Sequence, residues 1–139
     1  MRTIQAEVIN DKEPAGSQKK PVTNEDENWS FFTHFSGLAP YIGLIGVNLL
    51  VPIVIYFLKR KKSVFIAEHV KEAINFNLTY TVAVVVIFAL KDIFFVGWCL
   101  KYLLFPLAIA AHAIFSVIAM FRAKQGRYYR YPLCIHFLK

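Results

Sequence analysis

The segment Tyr102-LLFPLAIAAHAIFSVIAM-Phe121, twenty residues without a formal charge and closed directly by Arg122, decides the fold. As an α-helix it would be roughly 30 Å long, the thickness of a bilayer's hydrocarbon core, so it reads as a membrane span. Two more apolar runs, Tyr41–Leu58 and about Ile74–Leu90, have the same character. The expected fold class is therefore an all-α membrane protein with three transmembrane helices. Its 57% apolar content and mean hydropathy of +0.46 are high for a water-soluble core of 139 residues.

Working outward, the charges divide the chain. Residues 1–28 carry four basic and six acidic groups, whereas residues 29–139 carry twelve basic and three acidic. The first stretch holds Pro14, Gly16, Pro21 and the run Glu25-Asp26-Glu27, and has too few apolar groups to offset ordering entropy; it is expected to be a disordered polar tail. It also lacks the apolar stretch of a cleavable signal. From Trp29 to Leu58 no residue is formally charged, and Gly37 and Pro40 sit where that long run should break. This predicts an interfacial helix over 29–36 and a span over about 41–58, with Pro40 and Pro52 as kinks.

Lys59-Arg60-Lys61-Lys62 stops the first span. From Ser63, a candidate N-cap, the pattern turns amphipathic, with Phe65, Ile66, Val70 and Ala73 on one face and Glu68, Lys71, Glu72 and Asn75 on the other. A cytoplasmic surface helix over 63–73 is expected, running into the second span at 74–90, then an interfacial turn before the third span at 102–121. A basic tail over 122–139 ends the chain. With three spans, both lysine- and arginine-rich segments share one side, which the positive-inside rule makes cytoplasmic, and the acidic N-terminus faces out. The expected location is a bacterial cytoplasmic membrane. Cys99 and Cys134 then fall on opposite faces as free thiols.

Pro52 removes the hydrogen bond to the carbonyl of Asn48, leaving an amide side chain and a free carbonyl near mid-membrane. In the third span Ala108, His112, Ser116, Ala119 and Ala123 form a small, partly polar stripe where another helix can approach closely. Asn48 and His112 fall at similar depth, and they are expected to meet directly or through water. A structural interhelical bond and a proton or solute relay both fit, and the residues leave the choice open.

His34, His69 and His136 lack a metal-ligand spacing and the expected topology scatters them between faces, so no metal site is expected. No paired nucleophile and base or phosphate loop occurs, so neither an enzyme nor a cofactor is indicated. The tail Arg127-Tyr128-Tyr129-Arg130-Tyr131-Pro132 interleaves bases with aromatics, which beside a span reads as headgroup anchoring rather than nucleic-acid binding. Lys59, Arg60, Lys61, Lys62 and Arg127 would face anionic lipid.

Taken together, His34-Phe-Ser-Gly37, Pro52 followed by the basic stop, Ala73-Ile-Asn75-Phe-Asn77 and Ala123-Lys-Gln-Gly126-Arg-Tyr-Tyr129-Arg130-Tyr-Pro132 resemble one family. It is the bacterial domain-of-unknown-function family forty-eight-seventy, the Tic-twenty-like small membrane proteins, named after a chloroplast protein-import component. The resemblance covers about Trp29 to Leu138. It implies a helical membrane fold and brings no reaction, cofactor or catalytic residue. Beside it, Asn75 and Asn77 read as amides at a bend where the surface helix enters the membrane, and Gly126 as a left-handed cap on the third span ahead of Pro132.

The function expected is thus non-enzymatic: an accessory or assembly subunit related to transport or translocation, partnered by the bilayer and by other membrane proteins or copies of itself. The alternatives are an anionic-lipid-binding scaffold and a proton or small-solute carrier acting as an oligomer.

Overall fold

The computed structural model describes residues 21–43, 46–90 and 94–138, and these are helical with no strand among them. Helix α1 (Asn24–Phe35) starts where Thr23 and Asp26 cap each other: the Asp26 amide donates to Thr23 Oγ1 at 3.2 Å and the Thr23 amide to Asp26 Oδ2 at 3.0 Å. Glu25, Asp26 and Glu27 in its first turn suit the positive end of the helix dipole. Among the described residues helix therefore starts inside the stretch expected to be a disordered tail, of which residues 1–20 lie outside the described residues.

A 3-10 helix, Ser36–Ile42, continues α1, and α2 follows as Val47–Lys59. Gly43 and Gly46 between them have φ of 85° and 90°, a left-handed backbone that a side chain would strain. The span expected over Tyr41–Leu58 is consequently not one helix. Pro40 lies within the 3-10 helix rather than at its end, and Pro52 is buried inside α2. The 13 residues of α2 reach only about 20 Å, short of a hydrocarbon core.

Among the described residues two helical stretches are long and apolar enough to cross a membrane, α3 (Val64–Leu90) and the run Gly97–Lys124. Ser63 caps α3, its Oγ accepting from the Ile66 amide at 3.3 Å. The surface segment and the span expected as separate pieces are one continuous 27-residue helix. In the other run, α4 (Phe94–Cys99) passes through a π-helical turn, Leu100–Leu104, into α5 (Phe105–Lys124), so the expected interfacial turn is helical as well. Lys101 is exposed there, its ammonium 5.3 Å from the Tyr102 ring. Gly126, at φ 68°, ends α5, and the Arg127 amide donates back to Arg122 at 3.0 Å.

The start of α1 sits at the basic end of the bundle. Glu25 Oε1 is 2.6 Å from Lys59 Nζ, which holds the Glu25 carboxyl below its usual range, and Lys124 Nζ donates to Asn28 at 2.5 Å. This overturns the expectation that the described N-terminal residues face away from the basic segments. The reason is the glycine turn, which makes α1 with its 3-10 extension one leg and α2 the returning leg. α1 packs against α5 and α3, with the small buried residues Ser30, Thr33 and Gly37 on one side and Ser116, Ala119 and Ala123 on the other. A Cβ on Gly37 would stand 3.2 Å from Ser116 Oγ.

Two apolar clusters complete this half: Ile55, Ile66 and Val70 beneath Trp29, and Phe76, Ala119 and Tyr131 beneath Phe115 and Tyr129. Residues 127–138 fold back over α3, and Tyr131 is 3% exposed. Beyond Asn77 the picture changes. Val82, Val85, Val86 and Phe88 on α3, and Leu103, Leu104 and Leu107 on the opposite run, are all exposed.

Candidate functional site

The polar side chains of the bundle gather in two networks. In the deeper one, Asn77 on α3 is the hub. Its Oδ1 accepts from Asn48 Nδ2 at 3.2 Å and from His112 Nε2 at 3.1 Å, while its Nδ2 donates to the Ala73 carbonyl at 2.8 Å. Asn48 and His112 are thus joined through a third side chain, which also fixes the tautomer of His112. Nε2 carries the proton, and Nδ1 accepts from the Tyr41 hydroxyl at 2.8 Å. Asn77 therefore works in the middle of the bundle, not at a bend.

The second network begins at a backbone carbonyl. Arg127 O only accepts, so His69 Nε2 donates to it at 3.1 Å. His69 Nδ1 then accepts from His34 Nε2 at 2.8 Å, and His34 Nδ1 accepts from the Tyr131 hydroxyl at 2.9 Å. Ser116 hydrogen-bonds to the Tyr131 oxygen and completes the chain. Every link runs in one direction, provided both imidazoles are neutral. Burial, and then the neighbouring His69, hold His34 well below the ordinary histidine value. Burial likewise raises the Tyr131 phenol, with Tyr129 adding to it.

Stacked rings bind the two networks together: Tyr131 on Phe76 at 3.8 Å, and Phe76 on His112 at 5.0 Å, within 6° of parallel in each case. Tyr80 covers the His112 ring at 4.1 Å. His34 and His69, expected on different faces, touch because α1 runs beside α3.

A third group lies under the C-terminal tail. Glu72, with a side chain 9% exposed, accepts from His136 Nε2 at 3.0 Å and the Tyr131 amide at 3.4 Å, and Arg130 Nε is 3.5 Å away. Asn75 bonds three times to the tail, donating to Leu138 O and accepting from the amides of Phe137 and Leu138. Glu72 and Asn75 were expected on a solvated face; the tail covers them. Tyr129 packs edge-on against Tyr131 at 5.1 Å, and Pro132 stands exposed in the turn that follows. At the basic end Arg60, Lys61, Lys62 and Arg127 are exposed, while Lys59 is paired with Glu25.

Sequence reading singled out Asn48, His112 and Ser116 and missed Tyr41, His69, Glu72 and Tyr131 as their companions. A signal was present for part of this. Ile66, His69, Ala73, Phe76 and Tyr80 follow three- and four-residue steps, a single helical face that carries its polar groups inward.

A family model for the magnetosome magnetite crystal formation proteins, MamF/MmsF, matches residues 25–138. The chain belongs to that family. This overturns the resemblance to family forty-eight-seventy and the Tic-twenty-like proteins. The motifs that carried it are packing features of this bundle: Gly37 for close approach, Asn75 and Asn77 for hydrogen bonds, Gly126 for the helix end. No curated protein and no solved structure matches the chain significantly. Membership in MamF/MmsF, together with two long apolar helices, makes this a membrane-associated protein of magnetosome formation.

Proposed function

We propose that this MamF/MmsF protein is a non-enzymatic membrane subunit of magnetite crystal formation, acting by assembly in the magnetosome membrane with other membrane proteins or copies of itself. The observation that carries this reading is the closure of the buried networks. His34, His69, His112, Asn48 and Asn77 are held by other helices or by the tail, so the groups best suited to chemistry already serve packing. Exposed apolar side chains on α3 and α5 supply the lipid- or partner-facing surface. The translocation part of the expectation loses its support together with the resemblance that carried it.

The test is complementation. In cells lacking the protein, a wild-type copy restores crystal size, and a variant with the buried network cut, Asn77→Leu, restores it only as far as the variant accumulates in the membrane. A variant that accumulates normally, keeps its partners on crosslinking and still fails to restore crystals would argue for chemistry at the network instead.

A second reading has its own observation. Arg60 lies 5.1 Å from the Tyr56 ring and 5.7 Å from the Phe57 ring, beside exposed Lys61 and Lys62. A basic rim of this kind, on apolar and aromatic support, suits anionic headgroups at about 1 kcal/mol per basic residue. Flotation with vesicles containing anionic lipid, lost on reversing Arg60, Lys61 and Lys62 to Glu, tests it.

A further inference from the structure

We propose that Glu72, Cys134 and His136 form a binding site for a divalent first-row transition ion, with one coordination position left open. One ligand atom from each lies within 4.8 Å of the other two. A tetrahedral ion with such ligands holds them about 3.3–3.7 Å apart, so the set is completed when the widest pair closes by about 1 Å and the His136–Glu72 pair, now 3.0 Å apart, opens slightly.

Chain geometry brings this about. Cys134 and His136 stand two residues apart on the tail over Glu72, and one ligand atom of each comes to the same place beside its carboxylate. The tail is tied to α3 from both directions. Thr79 Oγ1 accepts from the Ile135 amide at 3.0 Å and donates to Asn75 O at 2.8 Å, and Asn75 Oδ1 accepts from the Phe137 and Leu138 amides at 3.1 and 2.9 Å. These anchors flank the two tail ligands and set their position before any ion arrives. Asn75 and Thr79 are positioning residues for the site.

The donor set selects the ion. A thiol, an imidazole and a single carboxylate suit borderline-soft divalent ions, whereas calcium or magnesium wants several oxygens. Charge agrees as well: the Glu72 carboxylate and a Cys134 thiolate balance the ion. The thiol proton leaves to solvent as the sulfur–metal bond forms, and the neutral His136 imidazole passes to the tautomer with its proton on Nδ1, which frees Nε2 to ligate; the balance is one proton released per ion. Without an ion the half-buried Cys134 thiol holds its proton, with partial burial pushing it up to about 11, and Glu72 turns to Arg130 and His136 instead. Arg130 is 61% exposed and free to swing away; His136 is 34% exposed, which leaves the open position toward solvent.

The experiment uses the full chain purified in detergent and titrated with Co2+. The expected result is a thiolate-to-cobalt charge-transfer band saturating at one equivalent and displaced by Zn2+. The band persists in Cys99→Ser and vanishes in Cys134→Ser. Glu72→Gln and His136→Ala weaken cobalt binding by at least the ~10-fold that loss of a supporting residue costs. A wild-type protein without the band, a band surviving in Cys134→Ser, or affinity unchanged in both other variants would overturn the site. On the unsubstituted protein, Zn2+ should slow maleimide labelling of Cys134 and leave Cys99 unprotected; equal labelling of Cys134 with and without Zn2+ overturns it independently of any variant's folding.

Discussion

The two halves of the bundle obey different rules. Near the basic end, four helical legs and a folded-back tail enclose the two apolar clusters and, beside them, a set of polar side chains: Ser30, Thr33, His34, His69, Asn75 and Asn77 are each at most 2% exposed. Past Asn77, α3 and the run into α5 continue as a pair whose valines and leucines face outward, Val85 at 60% and Leu103 at 64%. In lipid an apolar side chain gains nothing by turning inward, since the solvent is as apolar as the core. What holds helices together there is close packing of small residues and hydrogen bonds that hydrocarbon cannot supply. The half with many partners carries both; the half with one partner helix carries neither in quantity.

The strongest way to break this contrast is to remove the hub. Asn77→Leu leaves the His112 Nε2 proton and an Asn48 amide proton buried without an acceptor. At about 1–3 kcal/mol for each of these two unsatisfied groups, the expected loss is about 2–6 kcal/mol. Polar links between membrane helices average only about 0.6 kcal/mol, because the separated helices find other partners. Equilibrium unfolding in mixed detergent micelles decides between these figures. A loss near the lower one would mean that the network specifies geometry and adds little stability.

Packing comes next. Gly37→Val places a branched side chain where a single Cβ is already 3.2 Å from Ser116 Oγ, and overpacking of this kind costs about 1–3 kcal/mol. Because Ser116 also bonds to Tyr131, the strain passes into the His34–His69 chain. Gly37→Ala is milder, and the pair should rank in that order in melting temperature.

How much of this was legible in the sequence follows from the same contrast. The apolar parts of α3 and α5 were readable because uninterrupted apolar length is a local property, whereas the charged first turns of α3 were read as a separate surface helix. His112 and Ser116 were readable as one inward face for the same reason. The second half of α1 was read as a helix over 29–36, but its start was not, since that acidic turn resembles a solvated tail until Lys59 and Lys124 are brought beside it. The reversal before α2 rested on Gly43 and Gly46, whose left-handed backbone leaves no mark on hydropathy. Glu72 and Asn75 looked solvent-facing because the residues that cover them, 131–138, lie some sixty positions away. A helical face can be read locally; what lies against it cannot.

The His34 chain carries a pH signature that the apolar half lacks. In the folded protein His34 stays neutral well below 6.5, whereas the unfolded chain takes up a proton near 6.5. The unfolded state then binds more protons in that window, so stability is fully present above about pH 6.5 and falls as pH drops below it. One such group gives a slope of at most about 1.4 kcal/mol per pH unit. His34→Gln should lower stability at neutral pH and flatten the slope, and melting curves from about pH 7.5 to about 5 measure both.

The smallest effect belongs to the outward half and sharpens the contrast from the other side. Val85→Leu adds a methylene at a position 60% exposed, where lipid or detergent tails solvate valine and leucine alike. Surface changes away from caps and networks stay within about 0.5 kcal/mol, so melting should not move measurably. The same substitution on a face that meets a second protein would disturb that contact without touching the monomer. Val85→Leu therefore separates two surfaces that look identical in one chain: unchanged stability with unchanged crosslinking marks a lipid-facing position, and unchanged stability with altered crosslinking marks a position in the assembly.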